Sequence, residues 1–186
     1  MFRRLRFCFG YFAWWMAYFA VIRAVFLAYN HAEAARIGFG NLAGAFVHGA
    51  RMDMSAAAIL SLLVFILAAV SVFVPKVAGR VIVWYSMVMI VVISLLATID
   101  VQLFGEWGFR IDGAILRYLN TPREMLASAG SSPVVLLTVL FVVLAALAVF
   151  SFLRLFGPGI REWHVGRLPH NLVSFTLIGG LAWFLY

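Results

Sequence analysis

Arginines and carboxylates recur together at two places in this chain, in a pattern suited to holding a phosphate ester. Arg51 and Asp53 stand two residues apart, and Asp100, Glu106, Arg110 and Asp112 follow one another in a single polar stretch. A guanidinium presents a planar fork of N–H donors that matches phosphate geometry, and nearby acids can hold that fork in place. Arg51, Asp53, Arg110 and Asp112 are therefore candidates for a lipid-headgroup seat. The same residue types also make ion pairs and helix caps that fasten surface segments to a membrane bundle, so both readings stand. Arg23 is a further candidate, because an arginine inside an apolar run either snorkels to the headgroups or meets an anionic substrate or a buried acid.

The elements that must position these groups follow from composition. The chain is 66% hydrophobic and 11% charged, whereas about a quarter of residues are charged in a soluble domain. It is an integral membrane protein with one membrane domain and no room for a soluble catalytic one. The net charge of +7 does not point to nucleic acid, because the basic residues form no single patch on a polar surface. The lone Cys8 excludes an internal disulfide, and the four histidines have no metal-ligand spacing. No nucleophile motif, phosphate loop or Ser/His/Asp constellation is present, so the chain carries no catalytic residues of its own.

The fold expected is all-α, with five transmembrane helices and short amphipathic surface helices. Met1 to Arg6 brings three arginines ahead of an apolar run, 7–29, too long for a signal-peptide core. The segment 30–53 is predicted to lie on the membrane surface, with Phe39, Leu42, Phe46 and Val47 on one helical face. Asp53 and Ser55 offer N-cap oxygens for a second span, 54–74, which ends at Pro75. Gly79 and Arg80 open the third, 81–99. The polar stretch 100–133 is the longest segment that lipid would refuse. In it Asp100, Glu106 and Trp107 are structural, Asp112 caps one short surface helix, and Thr121, Pro122 and Glu124 form a capping box for another. A fourth span, 134–153, ends where Gly157-Pro158-Gly159 turns the chain, and a short last run, 170–186, makes the fifth.

Sorted by five spans, one side collects eight Lys and Arg against Glu162 alone, and the other five Arg against six acids. Because Lys and Arg are retained inside, the N-terminus is expected to be cytoplasmic and the C-terminus extracytoplasmic.

Two stretches resemble a known family. The run Phe46 to Ala56, with Gly49, Arg51, Asp53 and Ser55, resembles the segment that opens the second span in bacterial membrane sulfatases of the lipoteichoic-acid-synthase-like family. The stretch Asp100 to Ser128, with Glu106-Trp107-Gly108-Phe109-Arg110-Ile111-Asp112 and Pro122-Arg123-Glu124, resembles the outer loop after the third span. That resemblance implies five spans followed by an extracytoplasmic alkaline-phosphatase-like domain, which transfers phosphoglycerol or phosphoethanolamine from phospholipid or hydrolyses a sulfate or phosphate ester. It implies a divalent metal, Mn, Mg, Zn or Ca, only in that further domain, and no cofactor in this chain. The expected partners are membrane lipids and the chain's own C-terminal extracytoplasmic domain. The alternatives are a small transporter or channel component and a purely structural membrane subunit.

Overall fold

In the computed structural model the residues described are 2–36, 39–71, 73–108, 110, 133–161 and 176. They form helices α1 (Phe2–Tyr29), α2 (His31–Arg36), α3 (Phe39–Val70), α4 (Pro75–Trp107) and α5 (Val134–Arg161), with no strand among them. Four of these, all but α2, are long and apolar enough to cross a membrane. The expected fifth span, 170–186, apart from Thr176, and most of the polar stretch, including Asp112, Thr121 and Glu124, lie outside the described residues.

The helices run on where the sequence suggested breaks. Residues 39–53 are the first turns of α3 rather than a separate surface helix, and only the six-residue α2 precedes them. Asp53 does not cap a helix, because its carboxylate is taken by a side chain of α1. Pro75, expected to end the second span, is instead the first residue of α4, where its missing N–H costs nothing. Asp100 likewise sits inside α4, which continues to Trp107 and stops at Gly108. Gly108 has φ 71°, a left-handed value that glycine adopts freely, and its N–H donates to the Phe104 carbonyl at 2.9 Å.

Gly157-Pro158-Gly159 does not turn the chain either, since α5 carries Pro158 inside it. In an apolar surround a broken helix would strand several carbonyls, whereas an internal proline strands one. Packing holds the helix on both sides of it: Phe156 meets Phe7 edge-on at 5.4 Å, and Ile160 lies against Gly79. At about 1.5 Å per residue the 32 residues of α3 and 33 of α4 reach nearly 50 Å, well beyond an about 30 Å hydrocarbon layer. The polar residues near their ends are therefore helical extensions and not flat surface pieces.

Helix α1 packs most extensively against α3 and also touches α4 and α5. Its residues Phe7, Tyr11, Trp14, Trp15 and Tyr18 recur at helical spacing and are buried. Tyr11 and Trp14 stand edge-on to Phe152 of α5 at 6.2 and 5.8 Å. Lipid gives helices no hydrophobic reason to associate, so such close ring packing, about 0.5–1.5 kcal/mol per aromatic pair, supplies much of the attraction. A polar ladder fixes the register. Tyr11 bonds Ser86 at 3.0 Å, Tyr18 bonds Ser94 at 2.6 Å, and Tyr29 donates to Gln102 at 3.0 Å, which makes α1 and α4 parallel. The Tyr85 hydroxyl donates to the Leu60 carbonyl of antiparallel α3 at 3.2 Å. Interhelical hydrogen bonds in membranes average only about 0.6 kcal/mol, so they select the register more than they supply stability.

Where α4 meets α5, a Cβ on Gly79 would stand 2.8 Å from Ile160 Cγ2. Gly79→Ala should lower the thermal midpoint in detergent, because overpacking of about 1–3 kcal/mol outweighs a helix-propensity gain of at most about 1 kcal/mol. Combining it with Ile160→Ala should cost less than the sum of the two single changes.

Candidate functional site

The end of the bundle where α1 and α4 finish and α3 begins holds Arg23, Arg51, Asp53, Asp100, Glu106 and Arg110. Arg23, on the last two turns of α1, crosses to α3. Its Nη2 donates to Asp53 Oδ1 at 2.9 Å, with 15% and 14% of the two side chains exposed. Its Nη1 reaches the Phe46 carbonyl at 3.5 Å, and the guanidinium lies 5.8 Å from the Phe46 ring centroid. Gly49 makes this crossing possible, since a Cβ there would fall on the guanidinium itself. Of the fates open to Arg23, snorkelling, an anionic substrate or a buried acid, the structure shows contact with an acid, Asp53.

Arg110, just beyond the end of α4, forms the second pair. Its Nε and Nη2 both donate to Asp100 Oδ2, at 3.0 and 2.6 Å. The guanidinium lies over the Phe26 ring of α1, 4.8 Å from the centroid. Asp100 is nearly closed off, at 12% side-chain exposure, while the Arg110 side chain is 61% exposed. Two anchors thus hold Arg110 still while Nη1 and an edge of the fork stay open.

The two ion pairs do not merge into one cluster. Asp53 faces α1 and Arg51 is exposed, because residues two apart on a helix point in different directions. Arg23 takes Asp53 and Arg110 takes Asp100. Both pairs nevertheless rest on one short piece of α1, through Arg23 and, one turn later, Phe26. Around them Tyr29 donates to Gln102, Gln102 donates to Glu106 at 3.0 Å, and Phe26 packs on Phe104 at 5.0 Å. Glu106 thus lies on the exposed rim of α4, and Trp107 is its last helical residue.

Sequence reasoning missed Gly49, Phe46 and Phe26. A signal for the first was present, since Gly49 stands one turn before Asp53 and so clears the helix face that carries the acid. Nothing in the sequence marks Phe26 as the seat for a guanidinium 84 positions later. Also missed was how many hydroxyls face inward. Ser61, Ser71, Ser86, Ser94 and Thr98 are all buried, and Ser61 Oγ and Trp15 Nε1 make no hydrogen bond among the described residues. Among those residues no three His, Cys, Asp or Glu side chains gather as metal ligands would.

Compared with known proteins, the chain matches no family model, no curated protein and no solved structure.

Removing one member of a nearly enclosed ion pair strands the other, at a cost of about 3–5 kcal/mol, whereas replacing both by apolar residues is close to neutral. Asp53→Leu should therefore sharply lower the thermal midpoint, and adding Arg23→Met should restore most of it.

Proposed function

We propose that this chain is the membrane domain of an extracytoplasmic phospho- or sulfo-ester enzyme of the lipoteichoic-acid-synthase-like class, and that its mixed-charge end seats a phospholipid headgroup. The observation that carries this reading is Arg110. A guanidinium locked by a nearly buried Asp100 and a ring face, yet 61% open, is preorganised for a phosphate oxygen at the interface. Exposed Arg51 supplies a second positive group at the same end. Arg23 serves as a fastener in this scheme, since Asp53 neutralises it. The phosphate would come from a phosphoglycerol or phosphoethanolamine lipid, and an alkaline-phosphatase-like domain with its divalent metal would act on the ester.

In this reading the mixed-charge end faces outward. Among the described residues the opposite end carries seven Lys and Arg and no acid, the imbalance that keeps a segment cytoplasmic. A transporter or channel reading has less support, because the buried hydroxyls of α1 and α4 bond one another instead of lining an open path.

In intact cells an impermeant maleimide should label Glu106→Cys directly and Lys76→Cys only after permeabilisation, each in a Cys8→Ser background. The reverse pattern overturns the orientation. Native mass spectrometry of the purified, folded protein should show one fewer bound phosphatidylglycerol for Arg110→Ala than for the parent, measured below the lowered thermal midpoint that follows from taking the arginine away from Asp100. Equal lipid counts in folded Arg110→Ala and Arg51→Ala would reduce the domain to an anchor.

A further inference from the structure

The opposite, basic end of the bundle holds a groove of about 340 Å³ between the start of α4 and the end of α5. One wall is a stripe on α4: Lys76, Arg80 and Trp84, four residues apart and so stacked on one helix face. The other is Leu153, Gly157 and Ile160 of α5.

Three features bear on what fits there. First, Lys76 and Arg80 are exposed and neither makes an ion pair among the described residues, while the end they belong to carries no acid among those residues. An anion is the complement their charge calls for. Second, polarity changes along the groove. Lys76 to Trp84 spans about 12 Å of helix rise, from two cations at the rim to Trp84 and Leu153 deeper in, where Trp84 is 69% exposed. Third, the wall is open at Gly157, where an added Cβ would meet nothing within 4 Å, although the helices touch tightly at Gly79 and Ile160 just beside it. A groove that is cationic at its mouth, apolar along its length and open sideways matches an amphiphile better than a free ion. Basic pockets between transmembrane helices on the cytoplasmic side are a recurring way of holding anionic headgroups.

We infer that the α4/α5 groove binds one anionic phospholipid, its phosphodiester between Lys76 and Arg80 and an acyl chain along Trp84 and Leu153. This site is separate from the seat around Arg110 and does not depend on it.

Gly157→Cys, in a Cys8→Ser background and a neutral detergent, provides the test. A maleimide should label this cysteine readily in lipid-free protein. Phosphatidylglycerol at about ten times its dissociation constant should slow the labelling roughly tenfold, and phosphatidylcholine or inorganic phosphate should not. Adding Lys76→Gln and Arg80→Gln should abolish the protection while leaving the thermal midpoint and the lipid-free labelling rate unchanged. Equal protection by phosphatidylcholine, by inorganic phosphate, or in the double-glutamine variant overturns the site. So does a cysteine that is unreactive without lipid, since another part of the chain would then fill the groove.

Discussion

Arg23 crosses from α1 to α3 over the bare backbone of Gly49 and ends on Asp53, and much of the bundle's geometry depends on that crossing. In an apolar surround neither charge tolerates separation from the other, so the axial position of α3 against α1 is fixed wherever else the helices slide. The far end is tied similarly, with Arg4 Nε donating to Ser71 Oγ at 3.1 Å and Arg4 Nη2 to the Ser71 carbonyl at 3.3 Å. With both ends of that antiparallel pair pinned, the tyrosines of α1 meet the serines of α4 in one register, and the rings of α1 meet Phe152 and Phe156 of α5. The first helix is the reference against which the other three are set.

That arrangement gives the two ends different chemistry. At one end the buried carboxylates Asp53 and Asp100 each hold an arginine, and Arg110, which stays largely open, is held by an acid and a ring. At the other, cations accumulate without acids among the described residues, and two of them overlook a groove. A fixed, partly neutralised guanidinium favours a defined contact with one headgroup, whereas paired exposed cations favour any lipid of the right charge. In the reading proposed above, specificity would belong to the Arg110 end and general lipid affinity to the Lys76 end.

The sequence by itself determined the class of the protein, because too few charged residues are present to cover a soluble surface and apolar runs of spanning length leave only helices as a solution. It determined the helical cores, since a continuous apolar run in lipid has no other way to satisfy its backbone, and it marked Arg23, Arg51, Asp53, Asp100 and Arg110 as residues out of place in lipid. It misread the boundaries at residues 53, 75, 100 and 157–159, where capping residues and prolines carry signals calibrated on chains that water can relieve. Where water is scarce, ending a helix costs more than carrying a proline or an aspartate through it, so α3, α4 and α5 continue. Only the tertiary structure decided the pairing: Asp53 takes Arg23 and not its neighbour Arg51, and Arg110 takes Asp100 over the ring of Phe26. Those choices depend on which helix faces meet, and that is settled by contacts between residues far apart in the chain.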